Sequence, residues 1–276
     1  LRHYRPGDDI RNMDWRVTNR TGKPHVRVYT EERDRPVVIL VDQRLPMFFG
    51  SQTCFKSVTA CYLGALITWA GLQNNDRVGG LVFGDQSHQE IRPRRSRQSA
   101  LSLIHLMQQY NEQLNRNTGV DSQPSKSLEQ SLIELRRIAK PGSTIYLISD
   151  FAGFTEGDAA KQLYQLSRHC EITAFFIYDP LEQQLPPPGQ YTVTDGQHKN
   201  VIHTGGAKLR ERYADYFNQR RNQLQQQLGK LGIPLIDIGT EQAPLQRLLH
   251  YYGVAGKTAP KANTESGNNA KGEHRA

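Results

Sequence analysis

Short apolar runs alternate along this chain with longer segments in which apolar residues recur at helical spacing. Four of the runs are rich in Val, Ile, Leu and aromatic residues and predict strands that the core covers on both faces. They lie at residues 37–41, 144–149, 172–178 and 234–238. The first three are each followed directly by an aspartate, namely Asp42, Asp150 and Asp179.

The segments between these runs have the periodicity of amphipathic helices. Helices are predicted over residues 55–72, 99–114, 127–139, 157–169, 207–231 and 244–252. In the first of them, the apolar face of the predicted helix consists of Phe55, Val58, Tyr62, Ala65, Leu66 and Trp69. Two more strands are predicted at 77–83 and 90–92, and Gly79 and Gly80 favour a close approach of neighbouring backbone or of a helix.

Strands that alternate with helices imply right-handed crossovers between parallel strands. We therefore expect an α/β fold with a doubly wound, mostly parallel sheet flanked by helices. Ligands of such sheets bind at the carboxyl ends of the strands. Asp42 and Asp150 both lie at that edge and are the first candidates for a functional site.

The alternation is interrupted at residues 180–206, where Pro186-Pro187-Pro188-Gly189 precedes two β-like runs separated by Asp195-Gly196. This pattern predicts an inserted hairpin with strands at 191–194 and 200–203. Residues 253–276 are small, polar and charged, without Phe, Tyr or Trp, and predict a disordered tail. The predicted organisation is a leader at 1–36, a main domain at 37–252 and this tail.

Composition limits the class of protein. With 276 residues, 37% of them hydrophobic, the chain can bury one sizeable core. Its longest apolar stretch, residues 58–72, is short for a helix that spans a membrane. Three cysteines without CxxC spacing exclude a full disulfide framework and a four-thiolate zinc site, so we expect a cytoplasmic protein. Because the chain begins with Leu1, close to a dense motif, we expect a segment upstream of it.

A net charge of +8 raises the question of nucleic-acid binding. The basic clusters are Arg92-Pro93-Arg94-Arg95-Ser96-Arg97 and Arg220-Arg221, and neither is interleaved with aromatic residues. We interpret them as a solvated basic face. An acidic protein partner and nucleic acid stay open as alternatives.

The leader carries a motif of alternating charges around a turn. Pro6 and Gly7 favour the turn, and the neighbouring aspartates stand close in sequence to several arginines. We interpret the motif as an ion-paired clasp that orders the leader, with a surface that docks a partner as the alternative. Its candidate interaction residues are Tyr4, Arg5, Gly7, Asp8, Asp9, Arg11, Asp14, Trp15, Glu32 and Arg33.

This leader, followed by the strand that ends at Asp42, resembles the signature of the bacterial domain-of-unknown-function family 58 (DUF58). The resemblance covers residues 4–84 and the surroundings of Asp150. It implies a von Willebrand factor A-like domain that acts with a MoxR-type AAA+ ATPase. It also implies other von Willebrand A-domain proteins as possible partners.

In von Willebrand A-like domains a divalent ion is held by an Asp-x-Ser-x-Ser loop, a Thr from a later loop and a further Asp. In this chain Arg44 and Pro46 occupy the two serine positions, while Asp42 and Asp150 remain. The position of the Thr falls on Lys126, or on Ser125 one residue before it. Because Mg²⁺ prefers oxygen ligands, we expect no metal here, with Mg²⁺ or Mn²⁺ as the alternative.

Two aspartates that converge at a sheet edge repel each other unless a cation lies between them. We therefore expect an internal cation, supplied by Arg44 or Lys126, in place of the metal. The competing interpretation leaves both basic side chains in solvent.

The leading functional hypothesis is a non-enzymatic adaptor that works with the MoxR-type ATPase in the assembly or maturation of other proteins. No catalytic residues are expected. The first alternative is a metal-dependent phosphoesterase that uses Asp42 and Asp150, and the second is nucleic-acid binding through the basic clusters.

Overall fold

The computed structural model describes residues 2–6, 8–26, 35–114, 127–154, 158–194 and 199–253. The chain divides into two compact units, residues 1–34 and residues 35–276. The first unit contains strand β1 (Arg2–His3), helix α1 (Trp15–Thr21) and strand β2 (His25–Val26), with β1 and β2 antiparallel. Asp14 begins α1 by accepting hydrogen bonds from the backbone N–H groups of Arg16 and Val17.

The second unit is built around a six-stranded sheet. Its strands and those of a separate hairpin are β3 (Val37–Asp42), β4 (Val78–Phe83), β5 (His88–Arg94), β6 (Thr144–Ser149), β7 (Glu171–Tyr178), β8 (Gln190–Thr194), β9 (Lys199–His203) and β10 (Leu235–Gly239). The order in the sheet is β10-β7-β6-β3-β4-β5, and every pair is parallel except β4 with β5. Strands β8 and β9 form the antiparallel hairpin.

Helices cover both faces of the sheet. They are α2 (Lys56–Gln73), α3 (Arg97–Gln113), α4 (Leu128–Ile138), α5 (Ala159–Ser167), α6 (Pro180–Gln183), α7 (Ala207–Lys230) and α8 (Pro244–Tyr252). Alternate residues of β3 point into two separate cores: Val38 and Leu40 pack with α4 and α5, and Ile39 and Val41 pack with α2 and α3. The α/β fold with a mostly parallel sheet is therefore confirmed.

Helix α2 packs through a different face from the predicted one. Tyr62 of the predicted face is 65% exposed and Phe55, which caps the helix, is 41% exposed. The buried side chains are Lys56, Ser57, Thr59, Ala60, Leu63, Ile67 and Thr68, together with Gly64 and Gly71. The prediction was wrong because small residues set the packing. A Cβ atom at Gly64 would lie 2.8 Å from the Met107 sulfur, so the glycine allows a close approach of α2 to α3.

The close approach expected at Gly79 and Gly80 is confirmed. A Cβ atom on Gly79 would overlap the carbonyl oxygen of Ile91 in β5, and one on Gly80 would overlap the carbonyl oxygen of Ile39 in β3. The crowding comes from neighbouring backbone on both sides of β4. Glycine at these positions therefore allows the neighbouring strands to pair with β4 without displacement of their backbone.

The predicted hairpin and the helix α6 can be compared with the sequence prediction. The hairpin is present, although its predicted turn at Asp195-Gly196 lies outside the described residues. The short helix α6 was missed, because four residues are too few to show a helical period. The predicted tail lies outside the described residues, apart from Gly253. None of the helices in the described part of the chain is long and apolar enough to cross a membrane.

Candidate functional site

Acidic residues gather where the parallel strands end. Asp42 is the last residue of β3, Asp150 follows β6 and Asp179 follows β7. Because β3 pairs with β6 and β6 pairs with β7, the three carboxylates lie in a row along the carboxyl edge. All three residues are buried, with at most 3% of their surface exposed. A buried charge requires partners, so the site is defined by what neutralises each aspartate.

Arg44 neutralises Asp42 from the loop after β3. Its Nε and Nη2 atoms donate to the two oxygens of Asp42 over 3.0 and 2.7 Å, and its backbone N–H donates to Oδ1 over 3.0 Å. Burial would lower the pKa of Arg44, but the charge of Asp42 outweighs it and the pKa is raised. The guanidinium also lies over the ring of Phe83 at 5.2 Å and donates to the carbonyl of Ala152. Arg44 is thus held in one place inside the protein.

Ser149 completes the surroundings of Asp42. Its hydroxyl donates to Oδ2 of Asp42 over 2.6 Å and accepts the backbone N–H of Phe151 over 2.8 Å. Together with Arg44, this gives each carboxylate oxygen of Asp42 two donors.

Lys56 neutralises Asp150 from the first turn of α2. Its ammonium lies 2.9 Å from Oδ2 of Asp150 and 2.7 Å from Oε1 of Glu182, and the lysine is 1% exposed. Burial opposes the charge of Lys56, but the two carboxylates outweigh it and raise its pKa. Burial likewise opposes ionisation of Asp150, yet Lys56 and the N–H of Ala152 hold its pKa below the usual value. The pair is therefore ionised in the folded protein.

Asp179 joins three segments of the chain. It caps α6 by accepting the N–H of Leu181, and it accepts hydrogen bonds from the hydroxyls of Ser51 and Thr240 over 2.5 and 2.6 Å. Burial would raise the pKa of Asp179, but these hydrogen bonds outweigh it and the pKa is lowered. In the same capping box, the second oxygen of Glu182 accepts the N–H of Asp179. Asp179 therefore fixes α6, and with it the carboxylate that meets Lys56.

These residues do not fit a divalent metal. Mg²⁺ needs carboxylate oxygens that are free to turn toward it, whereas those of Asp42 and Asp150 accept hydrogen bonds from the chain's own donors. Pro46 is exposed in a short 3₁₀ helix and offers no ligand atom on its ring. Within the part of the chain that the structure describes, no group of three or more His, Cys, Asp or Glu could hold a metal ion.

The structure places the candidate residues of the site in distinct roles. Arg44 contacts Asp42, which is one of the two arrangements expected for an internal cation. Lys126 and Ser125, the other candidates, lie outside the described residues. Lys56 was missed, although it is the one charged residue between positions 45 and 75. A single lysine at the start of an otherwise uncharged helix was the available signal for a buried cation.

The aspartates of the leader act on backbone groups. Asp8 accepts the N–H of Arg5, and Asp9 accepts the N–H of Arg11. Asp14 caps α1, and Tyr4 donates its N–H to the carbonyl of Pro24 over 2.9 Å. Trp15 is 60% exposed at the start of the helix. Gly7, Glu32 and Arg33 lie outside the described residues, so the proposed clasp stays a prediction.

Aromatic side chains lie on the segment between β3 and α2, which also carries Arg44. Phe48 and Phe55 stack with their ring centroids 4.6 Å apart. Phe49 and Phe55 are each 41% exposed, and Pro46 is also exposed. This segment therefore exposes three apolar side chains to solvent. We call Pro46, Phe49 and Phe55 the aromatic rim.

The chain is similar to known proteins over most of its length. The family described as "Protein of unknown function DUF58" matches residues 1–223. The uncharacterized protein Rv1480 of Mycobacterium tuberculosis is 26% identical over 251 residues, 91% of this chain and 76% of that protein. The solved structure of the conserved hypothetical protein BatB from Bacteroides thetaiotaomicron has a TM-score of 0.47 and 13% identity, over 80% of this chain and 98% of that one. The VWA domain of SpRpn10 has a TM-score of 0.44 and 12% identity, over 78% of this chain and 94% of that domain.

Proposed function

Because the chain belongs to the DUF58 family, we propose that it is a non-enzymatic adaptor that binds another protein at the carboxyl edge of its sheet, without a metal. Its proposed partner is a MoxR-type AAA+ ATPase, with which it would act in the assembly or maturation of other proteins. A second von Willebrand A-domain protein is a further partner of the same kind. The three unpaired cysteines are consistent with a cytoplasmic setting for this work.

One observation carries the proposal: Asp42 and Asp150 are neutralised by Arg44 and Lys56 inside the protein. In a metal-dependent adhesion site the ion keeps one position open for a carboxylate of the partner. Here Arg44 and Lys56 offset the charges of Asp42 and Asp150, and Lys56 is closed off from solvent. A partner protein would therefore bind through the surface around the site, which supports a contact made by the aromatic rim.

The aromatic rim has the composition of a protein contact. Exposed Phe side chains supply apolar area, and clusters of aromatic residues are enriched at the centres of interfaces. The stacking of Phe48 on Phe55 holds the rim in a defined shape before binding. Such preorganisation lowers the entropic cost of association.

The test is capture of the purified MoxR-type ATPase of the source organism by this chain. We expect Phe49→Ser to weaken capture by about tenfold or more, as for an aromatic residue at the centre of an interface. Tyr164→Ser is the matched control, because Tyr164 is an exposed aromatic residue on α5, outside the rim. Equal capture by the wild type and by both variants, with melting temperatures unchanged, would refute a contact at the rim.

The leader motif offers a second contact to the same partner. Charge reversal at Asp8, Asp9 or Arg11 is expected either to weaken capture or to destabilise the leader. Capture measured together with thermal melting separates these outcomes. Unchanged capture and unchanged melting in all three variants would exclude both the docking role and the clasp.

The metal-dependent phosphoesterase has less support. It requires Asp42 and Asp150 to hold metal ions, and their oxygens already accept hydrogen bonds from Arg44, Ser149, Lys56 and Ala152. A phosphatase screen with added Mg²⁺ or Mn²⁺ distinguishes the two functions. Turnover that is lost in Asp42→Asn would favour the enzyme.

A further inference from the structure

A basic groove lies between the edge strand β5 and helix α4, away from the carboxyl-edge site. Its volume is about 750 Å³. The basic residues that line it are Arg77, Arg92, Arg94, Arg137 and Lys140. Two carboxylates, those of Glu90 and Glu134, also line the groove, so its five Arg and Lys residues exceed its Glu residues by three. An anionic ligand is therefore attracted to it.

Two arginines of the groove, Arg92 and Arg137, form exposed ion pairs with its glutamates. The Nε atom of Arg92 lies 3.8 Å from Oε1 of Glu90, with 80% of the Arg92 side chain exposed. Arg137 lies 2.6 Å from Glu134 with 70% of its side chain exposed. Exposed ion pairs of this kind contribute about 0–1 kcal/mol. Both guanidinium groups can thus turn toward an incoming carboxylate at little cost.

Strand β5 adds a means of binding extended backbone. It is the last strand of the sheet, and within the described residues no strand pairs with its outer side. An extended peptide can add to such an edge through main-chain hydrogen bonds. Pro93 has no N–H and ends this ladder near the end of the strand, so the usable edge is at residues 88–92. Pro36, Pro93 and Ile138 give the groove an apolar lining for the side chains of a peptide.

We propose that the basic groove binds an acidic, extended segment of a partner protein. In an extended peptide, alternate side chains lie about 7 Å apart on one face, so alternate acidic residues present several carboxylates to the basic residues of the groove. Among the described residues, the lining of the groove contains no Phe, Tyr or Trp on which bases could stack.

The proposal is tested by fluorescence anisotropy with a fluorescein-labelled peptide in which Glu alternates with Thr. The comparison probes are the same peptide with Gln in place of Glu and a single-stranded oligonucleotide of equal charge. We expect the Glu peptide to bind, the Gln peptide to bind at least about tenfold more weakly, and the affinity to fall as salt is added. Binding of the oligonucleotide as tight as that of the Glu peptide, or no binding of the Glu peptide, would overturn the proposal.

Charge reversal locates the binding. The double variant Arg92→Glu/Arg137→Glu is expected to bind the Glu peptide at least about tenfold more weakly than the wild type does. The control Lys208→Glu/Arg212→Glu changes the net charge equally at two exposed positions of α7 and is expected to leave the affinity nearly unchanged. Circular dichroism melting verifies that both variants are folded. Equal loss in the two double variants would mean that net charge, and not the groove, attracts the peptide.

Discussion

Replacement of Lys56 by methionine removes one buried cation and leaves two carboxylates facing each other. Methionine keeps most of the length and the apolar stem of lysine, so packing in α2 is largely preserved. The lost interactions are the 2.9 Å contact with Asp150 and the 2.7 Å contact with Glu182. The side chain of Asp150 is 4% exposed and cannot regain water, whereas that of Glu182 is 24% exposed. The expected cost therefore falls mainly on Asp150.

The magnitude follows from the burial of this pair. Coulomb attraction over 2.9 Å at an effective dielectric constant of about 20 is about 6 kcal/mol before desolvation is subtracted. Removal of one member of a buried ion pair typically costs about 3–5 kcal/mol, because the other charge is left without a partner. We expect Lys56→Met to lower the free energy of unfolding by about this amount. In Lys56→Met/Asp150→Asn the buried unpaired charge of Asp150 is also gone, so we expect a coupling energy of about 2–3 kcal/mol.

Urea denaturation at pH 7, followed by circular dichroism, measures these free energies. The matched control is Arg35→Met, which breaks the exposed 3.5 Å pair of Arg35 with Glu171 and should cost at most about 1 kcal/mol. A loss in Lys56→Met as small as that of Arg35→Met would refute the assignment of Lys56 as a buried counter-ion. The absence of any recovery in the double variant would do the same.

The same variant has a defined pH dependence. The folded-state pKa of Asp150 is lowered by Lys56, so its ionisation contributes stability above the unfolded pKa, which is about 3.9. This contribution is lost as the pH falls through the lower folded value. The gap in stability between wild type and Lys56→Met should therefore be larger at pH 7 than at pH 3. A gap that widens in acid would contradict this sign.

Three further predictions concern packing, reactivity and capping. Gly80→Ala should lower the free energy of unfolding by about 1–3 kcal/mol, because its Cβ would overlap the carbonyl of Ile39. Gly229→Ala in α7 meets no atom within 4 Å and should raise it by about 0.5–1 kcal/mol. Urea denaturation measures both, and equal effects would contradict the packing. Burial raises the pKa of the Cys61 thiol to about 12, so iodoacetamide at pH 8 should label this partly buried thiol more slowly in the folded than in the unfolded protein. Equal labelling rates would contradict the raised pKa. Asp14→Ala should cost the first unit about 1 kcal/mol through loss of the α1 cap, with exposed Arg16→Ala as the control; hydrogen exchange in α1 that matches the wild type would refute this role.

The fold could be predicted because its strands are continuous apolar runs. Covered strands need apolar side chains on both faces, and such runs are rare elsewhere in the chain. The crossover rule then placed Asp42 and Asp150 at one edge of the sheet. Boundaries of the main helices followed from their periodicity to within a few residues, and α8 was predicted at its observed bounds.

The packed face of α2 and the partners of Lys56 could not be predicted from the sequence. Apolar residues surround the whole of helix α2, so periodicity does not identify its packed face. Gly64 and Gly71 identify that face only when the neighbouring helix and strand are known. Arg44 is two residues from Asp42, and its role could be inferred locally. Lys56 reaches Asp150 across 94 residues of chain and Glu182 across 126, and nothing in a local pattern connects them.

Isothermal titration of the wild-type chain with Mg²⁺ and with Mn²⁺ tests most directly whether Arg44 and Lys56 stand in place of a metal. We expect no binding of either ion at millimolar or lower concentrations, and a melting temperature that neither ion shifts. Asp42→Asn is the companion variant, because it removes the carboxylate that a metal would need. Millimolar or tighter binding by the wild type that is lost in Asp42→Asn would contradict the account.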